Sequence, residues 1–328
     1  MKYYFICFVV VLALLLGSAW LVAKNARMAF MSDFDVRLTT KIEMAHSLPP
    51  NSVVILGDSA AVNDLIPTRL GRDVVNLGME QAGPVEGFAF TQFMLSSPHP
   101  PRAVLLVYAP WHLNSIEPWF FADAISAGLY DREMLDGLLS RARILHDPLP
   151  GPESWGEIDF HLKTTLNLHR FPSFYFPSLL HVFSNDRRKT NRRLAAEIRT
   201  SLGYTSGPSR NGCQEILSLP KHFMPYSLAD DYFSDMLSLL QRQNIPVYYL
   251  GPPISDISDA ELAIDFRSEY THYLQMYETK YPNFHLLGEP IPQLSWREFG
   301  DRAHLNPGGA VRFSDHVADV LGKASIEE

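Results

Sequence analysis

Five short apolar runs of strand length alternate with helical segments through most of this chain, and this alternation constrains its fold more than any other feature. The strand-like runs are residues 51–56, 73–77, 103–108, 245–250 and 283–287, and the segments with a helical apolar period are 85–95, 228–242 and 262–277. Because the runs are apolar on both faces, they predict a parallel sheet that helices cover on both sides. We therefore expect an α/β domain with a five-stranded parallel sheet and an active site at the carboxyl ends of its strands.

One segment is too long to be a single crossover helix. Residues 111–227 separate the third and fourth runs, and we interpret them as a helical insertion over or beside the active site. Its aromatic-rich stretch 171–177 either packs in the core of the insertion or lines a carbohydrate or acyl cleft. Its basic run from Arg187 to Arg193 is either a solvated helix face or a contact for an anionic membrane or polysaccharide.

The N-terminal residues 3–23 are predominantly apolar and contain no charged side chain, with Lys2 before them and Lys24 and Arg27 after them. About 20 helical residues cross a hydrocarbon core of ~30 Å. A cleavable signal peptide has a shorter apolar core, and residues 21–23 make a poor cleavage site. This pattern therefore favours an uncleaved membrane anchor over a signal peptide.

The predicted organisation follows from this anchor. Residues 1–24 form the transmembrane segment, 25–50 a helical stalk, and 51–328 the catalytic domain with its insertion. Lys2 and the free N-terminus carry positive charge on one side of the span, and Lys24 and Arg27 carry it on the other, where Asp33 and Asp35 partly offset it. We therefore expect the domain on the periplasmic or extracellular side.

Charge and cysteine content exclude other classes of protein. The formal net charge of −8 argues against a nucleic-acid partner, which would require a basic surface. The sequence has two cysteines, and Cys7 lies inside the apolar segment, so a disulfide with Cys213 is implausible. Neither cysteine belongs to a metal-binding cluster in the sequence.

Two polar motifs at opposite ends of the domain indicate acyl-transfer chemistry. The first apolar run stops at Gly57-Asp58-Ser59, and Asp301 and His304 lie three residues apart before a C-terminal helix. A serine at the tip of a buried strand, with a histidine and an aspartate that fold back against it, is the composition of a Ser-His-Asp site. Asp58 is interpreted as a turn or hydrogen-bonding residue. Zinc ligation by Asp301 and His304 is an alternative without support from an HExxH element.

These residues resemble the SGNH/GDSL hydrolase superfamily, and the similarity extends from residue 52 to the C-terminus around the insertion. The resemblance implies a three-layer α/β/α fold of flavodoxin-like type and a mechanism without a cofactor. Ser59 in Gly57-Asp58-Ser59 corresponds to the nucleophile, His304 to the base and Asp301 to its orienting acid. The backbone amides of Ser59 and of Gly78, in Asn76-Leu77-Gly78, correspond to oxyanion donors.

The third family motif departs from its usual Gly-x-Asn-Asp form. Here the third run leads into Tyr108-Ala109-Pro110-Trp111-His112-Leu113-Asn114. Asn114 is one candidate for the third oxyanion donor, and the side chain of His112 or a backbone amide is the alternative. Trp111 and His112 either bind substrate or pack the insertion against the sheet.

The single anchor, the divergent third motif and the insertion resemble one branch of the superfamily. Its members serve cell-surface O-acylation, including alginate acetylation and D-alanyl transfer to teichoic acid, beside a membrane-bound O-acyltransferase. The resemblance implies a serine esterase or O-acyltransferase that acts on an acylated glycan of the cell envelope or on an exported polysaccharide. Two alternatives stay open: a tethered carboxylesterase or lipase for small esters, and a weakly catalytic accessory protein that binds glycan or an acyltransferase.

Overall fold

A parallel sheet of five strands forms the centre of the protein. The computed structural model describes residues 2–116, 123–125, 127–147 and 185–323. The strands are β1 (Val53–Gly57), β2 (Val74–Asn76), β3 (Ala103–Val107), β4 (Val247–Leu250) and β6 (Phe284–Leu287), in the order β2-β1-β3-β4-β6. All four neighbouring pairs are parallel, which confirms the predicted α/β class with a five-stranded parallel sheet. A separate two-stranded sheet joins β5 (Ile254–Ser255) to β7 (Gln293–Leu294).

The central strands are buried on both faces, and this burial explains their continuous apolar runs. Along β1, Val54 and Leu56 belong to one core cluster, whereas Val53 and Ile55 belong to another. Successive side chains of a strand point to opposite faces, so each strand must supply apolar side chains to both clusters.

Twelve α-helices with defined bounds accompany the strands in the described part of the chain. They are α1 (Lys2–Asn25), α2 (Asp33–His46), α3 (Ser59–Asp64), α4 (Pro67–Leu70), α5 (Pro84–Leu95), α6 (Pro110–Asn114), α7 (Arg132–Ile144), α8 (Asn185–Thr200), α9 (Ser227–Arg242), α10 (Asp256–Ala260), α11 (Ile264–Lys280) and α12 (Pro307–Lys323). The three helices predicted over 85–95, 228–242 and 262–277 correspond to α5, α9 and α11, with ends that differ by up to three residues.

Helix α1 is long and apolar enough to cross a membrane. Its segment Lys2–Val22 has a mean hydropathy of 2.8, and none of its apolar window is buried against the rest of the protein. A signal sequence near an N-terminus has the same properties, so these values show a candidate span and no orientation.

The predicted stalk over residues 25–50 needs correction, because α2 belongs to the folded domain. Ser32 and Asp35 cap this helix reciprocally, and Val36, Leu38 and Ala45 have no exposed surface. The helix packs against α5 and α8. In the sequence, charged residues stand between the apolar positions of α2, so the buried stripe does not appear as an apolar run. The domain therefore begins near Ser32.

The predicted insertion is helical over α6, α7 and α8, whereas its described residues 201–226 form turns and irregular segments. Leu135, Leu138 and Ala142 of α7 pack into the larger core cluster, and α8 packs on α2. The aromatic stretch 171–177 lies outside the described residues.

Candidate active site

The turn after β1 places Ser59 at the first position of α3. Asp58 caps this helix, since its Oδ1 accepts a hydrogen bond from the amide of Ala60 at 2.8 Å. Its Oδ2 accepts another from the amide of Ala109 at 2.6 Å, so one buried carboxylate joins the turns that follow β1 and β3. Asp58 is therefore a turn residue, and the Ser59 amide, at the start of a helix, has no intrahelical acceptor.

The segment before α12 brings His304 and Asp301 to this serine. The Nε2 of His304 lies 2.8 Å from the Ser59 Oγ, and its Nδ1 lies 2.8 Å from the Oδ2 of Asp301. The Oδ1 of Asp301 accepts hydrogen bonds from the amides of Ala303 and His304, both at 2.8 Å, and so fixes the loop around its own side chain. The three predicted residues thus form one continuous hydrogen-bonded chain.

Asp301 stabilises the charged form of His304. Burial disfavours the imidazolium, but the hydrogen bond and the charge of Asp301 outweigh it and raise the pKa of His304 above its ordinary value. Burial also opposes ionisation of Asp301, yet the hydrogen bonds from His304 and from the backbone amides lower its pKa overall. Asp301 therefore remains a carboxylate that stabilises the protonated histidine.

A second carboxyl group, which the sequence motifs do not indicate, lies beneath the histidine loop. Asp64 at the end of α3 is 1% exposed, and its Oδ1 accepts a hydrogen bond from the Leu305 amide at 2.9 Å. Its Oδ2 has no hydrogen-bond partner among the described residues. Burial raises the pKa of Asp64 to about 8, so the group is mainly protonated at neutral pH. Asp64 holds the residue next to His304 without adding a full charge.

The amide of Gly78, a predicted oxyanion donor, is already engaged. It donates to the Asn76 Oδ1 at 3.0 Å, and the Asn76 Nδ2 donates to the carbonyl of Ala61 at 2.6 Å. The Gly78 carbonyl accepts a hydrogen bond from the ammonium group of Lys41, whose pKa burial lowers to about 7. An oxyanion at Gly78 would have to share or displace the Asn76 contact.

An open cleft of about 820 Å³ lies in front of the three residues. Its walls are formed by Phe34, Arg37, Ser59, Asn63, Glu80, Gln81, Trp111, His112, Asp123, 205–208, Glu215 and 301–304. Most of these side chains are polar or charged. Helix α2 contributes Phe34 and Arg37, and the Arg37 guanidinium donates to the Thr205 Oγ1 at 3.0 Å, which ties α2 to the last part of the insertion.

The candidate residues of the third motif differ in their position relative to the cleft. Trp111 and His112 line the cleft, and the His112 Nε2 lies 3.8 Å from the Asp58 Oδ2. Asn114 does not line it. Asn63 does, one helical turn after Ser59 on α3. Residues four apart share one face of a helix, so this spacing is the sequence signal that identifies Asn63 as a neighbour of Ser59.

No protein-family model matches this chain, and no curated protein matches it significantly. Within the described ranges, no group of three or more His, Cys, Asp or Glu side chains is arranged to hold a metal ion. The function therefore has to be inferred from the site itself.

Proposed function

We propose that this protein is a membrane-anchored serine enzyme of SGNH type, an acyl-ester hydrolase or O-acyltransferase for a cell-envelope or exported polysaccharide. The observation that carries the proposal is the hydrogen-bonded chain from Asp301 through His304 to Ser59, with both histidine contacts at 2.8 Å. Its location at the carboxyl end of β1 agrees with the usual place of active sites in parallel sheets. Two core clusters, one on each face of the sheet, support the three-layer SGNH arrangement.

The geometry supports a two-step acyl transfer. His304 Nε2 accepts the proton of Ser59 as the Oγ attacks the ester carbonyl, and Asp301 stabilises the resulting imidazolium. The Ser59 amide donates to the oxyanion of the tetrahedral intermediate. Collapse breaks the ester C–O bond, the alcohol leaves with the proton from His304, and an acyl-Ser59 ester remains. Water or a sugar hydroxyl then attacks that ester and gives its proton to His304; the bond between the acyl carbon and the Ser59 Oγ breaks, and His304 returns the proton to Ser59.

The cleft favours a polar substrate. An open groove with charged walls and one half-buried indole, that of Trp111, suits a glycan better than a long acyl chain. Trp111 is the side chain on which a sugar ring would stack, and the polar residues would receive its hydroxyl groups. Acylated glycan is therefore the proposed substrate class, with small esters as weaker substitutes.

Helix α1 supports a membrane location. With α1 as an uncleaved span, the domain would face the periplasm or the cell exterior, where a membrane-bound O-acyltransferase is the proposed partner. Such a partner would supply acyl groups to Ser59 at the membrane surface.

One observation favours a second candidate function, a weakly catalytic accessory protein that binds glycan or an acyltransferase. The Gly78 amide is occupied by Asn76, and Asn114 lies outside the cleft, so two of the three predicted oxyanion donors are not poised. Loss of one such donor reduces kcat by about 10²–10³.

A serine-directed fluorophosphonate probe separates the two candidates. We expect the detergent-solubilised full chain to be labelled and to hydrolyse aryl acetates, and Ser59→Ala and His304→Ala to lose both activities. Ser206→Ala, which removes another hydroxyl from the same cleft, is the matched control and should retain them. A folded wild-type protein that is neither labelled nor active would refute the enzyme proposal. Incubation of the active enzyme with acyl donor and glycan then distinguishes release of free acid from acylation of the glycan.

A further inference from the structure

Helix α8 presents an exposed row of cations, here called the basic face, formed by Arg188, Lys189, Arg192 and Arg193. Lys189, Arg192 and Arg193 are exposed, and Arg188 is half-buried. Residues four apart lie on the same side of a helix, so the pairs 188/192 and 189/193 each align. The opposite side of α8 is buried.

This face is not neutralised by acidic neighbours in the described part of the chain. Arg193 pairs with Glu197 at 2.7 Å at the edge of the face, whereas Arg188, Lys189 and Arg192 form no ion pair with a described residue. Like charges four residues apart repel and slightly destabilise a helix. Helix stability therefore does not explain the row, whereas an anionic partner would.

Helix α8 is fixed to the segment that leaves α1. The Asn191 Nδ2 donates to the carbonyls of Met28 and Met31, both at 2.9 Å. The Arg187 guanidinium also donates to the Met31 carbonyl and pairs with Asp33 at 2.9 Å. Helix α1 ends at Asn25, so these contacts hold the basic helix within a few residues of the end of the candidate membrane span.

We infer that the basic face docks on the anionic phospholipid headgroups of the membrane that α1 crosses. The attraction between a cation and such a surface decays within a Debye length of about 8–10 Å, so it needs the proximity that the α8 contacts provide. Helix α2 packs on α8 and contributes Phe34 and Arg37 to the cleft. Docking would therefore hold the cleft in a fixed orientation at the bilayer. This inference rests on α1 as a membrane span and is independent of the acyl-transfer chemistry.

The test uses the full chain in lipid nanodiscs, with Cys7→Ser and a fluorophore on Ala196→Cys, an exposed position of α8. A headgroup-attached quencher reports the approach of α8 to the lipid. We expect stronger quenching in a phosphatidylcholine–phosphatidylglycerol mixture than in phosphatidylcholine alone, and its reversal by high salt. Substitution of Arg188, Lys189 and Arg192 by Gln should weaken docking roughly a hundredfold, since each cation near an anionic surface contributes a roughly fivefold factor.

A matched variant, Arg72→Gln/Lys221→Gln/Arg242→Gln, removes the same charge from exposed positions on other elements and should dock like the wild-type protein. Equal quenching in both lipid compositions, or equal losses in both triple variants, would overturn the inference. Quenching that is the same in both lipid compositions but changes when a soluble acidic polysaccharide is added would assign the basic face to a glycan instead. A full chain that does not insert into nanodiscs would refute both the span and the docking. Aryl-acetate turnover is measured on the same samples, so that failure of the proposed enzyme activity is distinguished from failure of docking.

Discussion

The Nε2 of His304 lies 2.8 Å from the Oγ of Ser59, although 245 residues separate them in sequence. Two hydrogen bonds, one from α12 and one from the segment before it, hold His304 close to Ser59. The Ser314 Oγ accepts a hydrogen bond from the Ile66 amide at 2.9 Å, and the Leu305 amide donates to Asp64. The segment that follows His304 is thus attached at two points to the segment that begins with Ser59.

Replacement of Asp301 by Asn should alter both the rate and its pH dependence. The pKa of His304 is raised above 6.5, so the histidine loses its basic form as pH falls, and the wild-type rate should decline with a midpoint above 6.5. Asp301→Asn removes the charge that stabilises the imidazolium, so the acid limb should move to lower pH while kcat falls by about 10³–10⁴. A pH profile of aryl-acetate hydrolysis measures both effects. An unchanged profile would contradict the role of Asp301.

Asn63 and Asn114 should differ in their effect on catalysis. Asn63 lines the cleft one turn after Ser59, whereas Asn114 does not line it. If Asn63 donates the third hydrogen bond to the oxyanion, Asn63→Ala should reduce kcat by about 10²-fold with little change in KM. Asn114→Ala is the matched control and should leave kcat unchanged. The reverse result would restore Asn114 as the donor.

Asp64→Asn should change how stability depends on pH. Burial raises the pKa of Asp64 from 3.8 to about 8, so the folded state binds a proton that the unfolded state releases in this interval. The stability contributed by Asp64 is complete below pH 3.8. Between pH 3.8 and about 8 the free energy of unfolding falls by about 1.4 kcal/mol per pH unit, until this contribution is lost. The variant should lack this decline, which denaturant unfolding of the detergent-solubilised chain at several pH values measures.

The exposed substitution Asp73→Asn removes the same charge and controls for surface effects. Parallel stability curves for wild type and Asp64→Asn between pH 4 and pH 8 would show that Asp64 ionises normally in the folded protein.

Gly57→Ala should prevent the turn that presents Ser59. A Cβ at residue 57 would lie 1.8 Å from the Val107 carbonyl oxygen, and the backbone φ of +154° is unfavourable for a side chain. We expect a loss of at least about 3 kcal/mol, because the adjacent strand would have to move. Gly137→Ala in α7 meets no atom within 4 Å and should be stabilising by about 0.5–1 kcal/mol. Melting temperatures of the two variants measure the difference, and equal values would refute the clash.

Local sequence patterns predict the elements of this protein better than they predict its contacts. The run 103–108 becomes β3 because a doubly buried strand needs continuous apolar residues, and this need is visible in the sequence. Ser59, Asp301 and His304 are identified by their order and their flanks. In contrast, the pairing of Gly78 with Asn76 depends on a side-chain rotamer, and the position of Asp64 depends on packing across 241 residues. Neither contact produces a pattern in the local sequence.

The close attachment of α2 to the domain limits how far the cleft can lie from α1. Only seven residues separate the end of α1 at Asn25 from the start of α2 at Asp33, so even a fully extended connection would reach less than about 30 Å. With α1 as the proposed membrane span, the cleft stays near the membrane surface and does not reach the volume beyond it. In that geometry the proposed polysaccharide substrate would receive or lose acyl groups close to the membrane, and chains that have already moved away would escape modification.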